Sequence, residues 1–319
     1  MNMADKKNLL LLLLAIQLSG CAGRIPLAKK CGSIMPDGGQ AYALLIGIDQ
    51  YNTEKFTDLR FPKLEVNKLA EILRAEGYIT RVISDFAATR KGVLDSLQWL
   101  TEGRDPKDRL LVYFAGHGMN FRMLQHFKSN RCSVTSYATE LSAVNTELNA
   151  AAKAGSGPNL DYLILALHQQ QKEFCDVIGA HEIVKELNRS RAHQKIMLID
   201  ACYSGVITEF SYFAVPVYSP RIIEDGLIAI TGAKDTAMDG KHSPFLFAGL
   251  RGAADTTWAG NRDGCVSAYE LAVFMDGVLR YKYGLGRGAL YKIRYVHIGT
   301  GDVQLVKPHR EFKHQKAQR

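Results

Sequence analysis

Two kinds of hydrophobic pattern alternate along the chain. Runs that are apolar almost throughout, Ala41–Ile48, Leu110–Ala115, Ile196–Ile199 and Leu227–Thr231, fit strands covered on both faces, as in a parallel sheet. Shorter strand-like stretches lie at Thr80–Ile83, Tyr162–Leu167 and Val303–Val306, the last read as an edge strand. Between them the apolar positions take helical spacing. Leu64, Leu69, Ile72 and Leu73 share one face and Gly77 follows as a stop; Val93, Leu94, Leu97 and Leu100 form a second stripe; Ile183–Leu187 forms a third. Phe245–Leu250 begins another helix. Ser267-Ala268-Tyr269-Glu270 is a capping box opening one more, with Leu271, Met275, Val278 and Leu279 apolar. Strand and helix alternate as β-α-β-α-β, which predicts an α/β domain built on a mostly parallel sheet with helices on both faces.

Residues 119–160 break this rhythm. Tyr137, Leu141, Val144 and Leu148 lie on one helical face, Ala150–Ala154 continues it, and Gly155, Ser156, Gly157 and Pro158 end it. The stretch reads as an insert carrying at least one helix, either a lid or decoration. With no internal repeat and no low-complexity linker, a single domain over 41–306 is the simplest organisation.

The chain has 319 residues, 47% of them hydrophobic, which excludes disorder. The net charge of +8 is scattered except for a basic tail at 307–319. Aromatic and basic residues do not interleave, so no nucleic-acid partner is expected. At the other end, Lys6 and Lys7 precede an apolar stretch, Leu9–Ile16, that is too short to span a bilayer; Leu18-Ser19-Gly20-Cys21 follows. That is a secretory signal, and its last four residues resemble the lipobox of bacterial lipoproteins. The resemblance implies a signal peptide over 1–20, lipidation of Cys21, a linker over 21–40, and a membrane partner reached through the lipid. Ala22 after the lipidated residue favours the periplasmic face of the outer membrane. Of six cysteines, Cys31, Cys132, Cys175 and Cys265 remain once Cys21 and Cys202 are set aside. An oxidising compartment could pair them in any of three ways, and the sequence does not choose.

The chemistry gathers where strands end. Ile196–Ile199 leads into Asp200-Ala201-Cys202-Tyr203-Ser204-Gly205, and Leu110–Ala115 leads into Gly116-His117-Gly118. Open α/β sheets bind ligands outside the carboxyl ends of their strands. One sheet edge would therefore present a thiol and an imidazole together. A thiolate is a strong nucleophile, and an imidazole can take its proton and return it to a leaving amine. Gly118 leaves room for backbone to approach, so its amide and that of Cys202 could face a developing oxyanion.

On these residues the chain resembles the caspase-like cysteine peptidases (peptidase C14), in particular the bacterial branch near the metacaspases, the orthocaspase type. The match is carried by Tyr42–Ile48, by Leu110–Gly118 with Tyr-Phe-Ala-Gly-His-Gly, by Ile196–Gly205 with Asp-Ala-Cys-Tyr-Ser-Gly, and by Leu227–Leu250 with Ser243-Pro244-Phe245 and Gly249-Leu250. The resemblance implies a three-layer sandwich of about six strands, a His117–Cys202 catalytic dyad, an oxyanion amide from Gly118, and protein or peptide substrates. His117 and Cys202 stand 85 positions apart (202 minus 117), against about 50 in caspases; the insert accounts for the excess.

Caspases proper cut after aspartate, whereas metacaspase-like members use acidic pocket residues to cut after Arg or Lys. By this resemblance Asp200 is one such acid. An ungapped alignment of Asp58–Pro62 and Leu69-Ala70 makes Glu65 the second; a one-residue gap would put Lys68 there instead. Two carboxylates would suit a guanidinium. Asp200 could equally cap the turn at its strand end, and Asp49 could help line the cleft. A separate stretch, Ala259–Glu270, resembles a calcium loop in Asn261, Asp263, Ser267 and Glu270, with Gly264 at the turn, but Ala259 supplies no first ligand. It reads better as a turn feeding the capped helix. No cofactor is expected, with calcium the one candidate. The expectation is a lipid-anchored cysteine endopeptidase. The alternatives are a non-catalytic envelope lipoprotein that uses the fold for binding, and a zymogen whose cleft is blocked by 206–226 or by the insert.

Overall fold

A computed structural model describes residue 31 and residues 38–120, 163–169, 176–202, 227–231, 239–283, 293–298 and 303–308. The regular elements, in chain order, begin with β1 (Ala41–Gly47), α1 (Pro62–Ala75), β2 (Ile79–Ser84), α2 (Arg90–Thr101), β3 (Arg109–Ala115) and β4 (Gly118–Asn120). They continue with β5 (Leu163–Ala166), β6 (Val177–Gly179), α3 (Ala180–Arg189), β7 (Gln194–Asp200) and β8 (Leu227–Thr231). The last are α4 (Ser243–Ala248), β9 (Val266–Ser267), α5 (Ala268–Tyr283), β10 (Arg294–Ile298) and β11 (Gln304–Val306). Signal peptide, Cys21, the body of the insert, Cys132, Cys175, the turn at Ser204–Gly205 and the basic tail beyond Pro308 lie outside the described residues.

The main sheet runs β10-β8-β7-β3-β1-β2, parallel except for β10, which pairs antiparallel with β8. Side chains alternate between its faces. Leu44, Ile46, Val112, Phe114, Met197 and Ile199 pack with Val93, Leu97, Ile183 and Leu187 of α2 and α3. Ala43, Leu45, Leu111, Tyr113, Ile196 and Leu198 pack with Val66, Leu69, Leu271, Phe274 and Met275 of α1 and α5. Both sides of the central strands are covered, which is why they read as unbroken apolar runs. The helix start and stop signals also hold: Ser267 Oγ accepts from Glu270 N–H at 3.1 Å, Glu270 returns the bond to Ser267 N–H at 3.0 Å, and Gly77 takes φ +88° after α1.

The strand-like run at Tyr162–Leu167 is a strand, Leu163–Ala166, and it is the middle strand of a small antiparallel sheet, β4-β5-β6. One strand expectation needs correction: Val303–Val306 is not an edge of the main sheet, since β11 pairs with β9 in a two-stranded ribbon and β10 forms the edge beside β8. Short apolar stretches carry no sign of which partner strand completes their hydrogen bonds. Cys31 and Cys265 form a disulfide across 234 positions, one of the pairings the sequence had left open.

Candidate active site

β2 lies on one side of β1 and β3 on the other, so the strand order reverses between β1 and β3. The crevice at such a reversal opens at the strands' carboxyl ends. A cavity of about 70 Å³ lies there, lined by Glu65, His117, Asp200, Cys202 and Asp239, with Leu59, Pro62, Ala115, Gly116 and Gly240. Thus the thiol and imidazole expected at two strand ends meet at one cavity. Cys202 is partly buried and not disulfide-bonded. Gly118 is required by the approach of the two segments: a Cβ there would fall 2.3 Å from the Cys202 carbonyl oxygen.

One wall of the cavity is aromatic. The chain after β1 folds back over His117, which stacks on Phe56 with ring centroids 4.8 Å apart and tilts against Tyr51 at 4.7 Å. Tyr51 is wholly buried, and its hydroxyl accepts from the His117 backbone N–H at 2.6 Å. His117 Nε2 lies 2.8 Å from the Thr57 carbonyl oxygen. A carbonyl only accepts, so Nε2 carries the proton and a neutral ring keeps its basic lone pair on Nδ1. Burial holds the His117 pKa below its ordinary value, against the opposing pull of the Thr57 bond and the Asp239 and Asp58 charges.

The other wall is ionic. Strand parity puts Asp200 on the face of Ile196 and Leu198, toward α1. There it meets His242, the residue before α4, whose Nδ1 lies 2.7 Å from Asp200 Oδ1. Glu65, on the buried face of α1, accepts from Tyr113 Oη at 3.4 Å and from the Ser243 hydroxyl. Burial, then the charge of Asp200, pushes the Glu65 carboxyl up to about 7. Burial also opposes protonation of His242, yet the charge and hydrogen bond of Asp200, with the charge of Glu65, outweigh it and hold the imidazole above its ordinary pKa. Asp239 completes the wall, its carboxylate accepting from Arg60 N–H at 2.8 Å.

Of the two alternatives for the second acid position, Glu65 lies on the cavity wall and Lys68 is exposed. Asp200 pairs with a side chain across the sheet edge. Asp49 does not line the cavity; it accepts from Lys63 N–H at 2.9 Å in the first turn of α1. In the loop before α5, Glu270 is occupied by the N–H groups of Asn261 and Ser267, Asp263 by that of Cys265, and Asn261 Oδ1 by that of Asp263. Those oxygens serve a turn and a helix cap. The sequence reading missed Tyr51, Phe56, Thr57, Asp239 and His242. Paired aromatics in a loop just after a buried strand were the available signal for the first group; His242, directly before Ser243-Pro244-Phe245, was the other.

A family model described as the caspase domain matches residues 40–248. Metacaspase-1 of Candida albicans is 36% identical over 89 residues, covering 25% of this chain and 19% of that one. Metacaspase-1 of Lodderomyces elongisporus is 33% identical over the same length and shares of both chains. The chain thus matches about a fifth of the length of these metacaspases. Among solved structures, protein GSU0716 of Geobacter sulfurreducens aligns with a TM-score of 0.51 at 14% identity, covering 84% of this chain and 97% of that one. At that identity the likeness concerns the fold alone.

Proposed function

The chain belongs to the caspase-domain family of cysteine peptidases, and from that premise we propose that it is an endopeptidase that cuts protein or peptide chains after Arg or Lys through Cys202 and His117. One observation carries the reading: the Cys202 thiol and a His117 ring with Nε2 committed to Thr57 share a cavity walled by three carboxylates. His117 Nδ1 takes the Cys202 proton as sulfur attacks the scissile carbonyl. The backbone amides of Gly118 and Cys202 face the oxyanion. As the C–N bond breaks, His117 gives the proton to the leaving amine, and a thioester remains on Cys202. Water, deprotonated by His117, then releases the acid. The side chain preceding the scissile bond, P1, enters against Glu65, Asp200 and Asp239, whose charge favours a cation. No bound metal is needed for any of these steps, and calcium at Asn261, Asp263 and Glu270 stays a separate proposal.

We also propose that the protein is secreted and lipidated on Cys21, facing the periplasm. The Cys31–Cys265 disulfide supports an oxidising compartment.

An arginyl chloromethyl ketone tests the peptidase reading. Mass spectrometry should find one adduct, on Cys202, formed much faster than with an aspartyl ketone and absent from Cys202→Ala. Absence of labelling by any peptidyl ketone would overturn it.

A further inference from the structure

The acidic wall contains its own counter-ion. Glu65 comes from α1, Asp200 from the end of β7, and Asp239 from the segment before α4. Tyr113 of β3 faces Glu65 with a neutral hydroxyl, Ser243 bonds Glu65 from α4, and His117, under the charge of Asp58, lines the same cavity. Among the described residues no Lys or Arg ion-pairs with Glu65, Asp200 or Asp239. Lys241, the neighbour of His242, is exposed. The basic group in contact with the cluster is His242: it is 2% exposed and its Nδ1 lies 2.7 Å from Asp200.

We propose that His242 is a specificity-determining residue: it positions Asp200 toward the P1 pocket and supplies or withdraws the counter-charge that a basic P1 side chain must otherwise provide. This rests on the peptidase reading above. While His242 is protonated, Asp200 is already neutralised and a guanidinium gains little from it. Once His242 is neutral, the same half-buried carboxylate has no cation beside it among the described residues, and an arriving guanidinium replaces the lost charge. Glu65 moves in the same sense, since its carboxyl ionises at about 7. With rising pH the pocket therefore becomes more negative in two steps that share one wall. Charges a few ångströms apart at an effective dielectric of about 20 interact by a few kcal/mol, so each step is large enough to alter P1 choice. His242 acts through Asp200.

The test compares kcat/KM for two peptides that differ only in P1, arginine or its neutral isostere citrulline, from pH 5.5 to 8.5. The ratio cancels the titration of His117 and Cys202, which both peptides share. In the wild type the ratio should rise about 10- to 100-fold over this range. His242→Asn keeps an amide donor near the Nδ1 position and cannot be charged. Its ratio should start about 10-fold higher at pH 5.5 and rise with one step, that of Glu65, in place of two, while citrulline turnover stays within about threefold. His242→Gln, a second uncharged donor, should behave alike. A wild-type ratio that is flat with pH, or an unchanged two-step rise in both variants, would overturn the proposal while leaving the peptidase intact. A protein that cleaves neither peptide would overturn the peptidase reading, and this proposal with it.

Discussion

Two imidazoles stand at the edge of the main sheet, His117 lining the cavity and His242 behind its Asp200, and their surroundings push their pKa values in opposite directions. His117 lies in an aromatic cradle, with Phe56 and Tyr51 against its ring and one carbonyl at Nε2. Burial dominates there and favours the neutral ring. His242 is the more buried of the two, yet its pKa is held above the ordinary imidazole value, because Asp200 touches it and Glu65 stands near. Burial alone does not set protonation; what matters is whether the neighbours stabilise charge. The aromatic wall is suited to chemistry, which needs a base with a free lone pair. The ionic wall is suited to selection, which needs charge that a substrate can complement.

The comparison breaks hardest at the reacting groups. Cys202→Ala and His117→Ala should each lower kcat/KM by about 10⁴-fold or more, measured on a P1-arginine peptide. Melting temperatures should stay near the wild type, because neither change leaves a buried charge unpaired. A residual rate near wild type in Cys202→Ala would place the nucleophile elsewhere.

The ionic wall should also reduce stability. Folded Glu65 keeps its proton to about pH 7, whereas the unfolded carboxyl releases it near 4.5. In that interval the folded state binds more protons, so stability falls as pH rises through it, by roughly 3 kcal/mol for this group. His242 acts in the same direction. Its folded pKa is raised above 6.5, so the stability it contributes is complete below that pH and is lost as pH rises through the folded value. Glu65→Gln cannot ionise. It should match the wild type in urea unfolding at pH 4.5 and exceed it by about 3 kcal/mol at pH 8, while losing about 10-fold in preference for P1 arginine. Equal stabilities at pH 8 would show that ionising Glu65 in its buried place beside Asp200 carries no cost.

The smallest effect concerns the cradle. Phe56→Ala opens the His117 ring to water and should raise its pKa toward the ordinary 6.5. The acid limb of the kcat/KM profile should move to higher pH, at about two- to fivefold lower activity near pH 6. A limb that moves down, or an unmoved one, would show that the stacked ring does not set the basicity of His117.

Much of the fold was legible because its central strands are buried on both faces and its helices are amphipathic; both patterns repeat along the chain. The ends of β3 and β7 were legible for the same reason: polar His117, Asp200 and Cys202 follow directly on apolar runs, at the edge where such sheets bind ligands. Tyr51 and Thr57 were not, since they act through a hydroxyl and a main-chain carbonyl brought over His117 by the path of a loop. His242 was hidden because its partner is 42 positions away on another element. Strand partners escaped likewise: nothing in Arg294–Ile298 announces that it closes the main sheet, or in Gln304–Val306 that it pairs with Val266–Ser267.

The division of labour between the two walls is tested most directly at Asp200, by kcat/KM of Asp200→Asn on matched peptides with P1 arginine and P1 glutamine. If the ionic wall selects and the aromatic wall reacts, the arginine peptide should lose about 100-fold while the glutamine peptide stays within about threefold of the wild type. Equal losses on both peptides would contradict the account, since Asp200 would then be serving the reaction at Cys202 and not the choice of side chain.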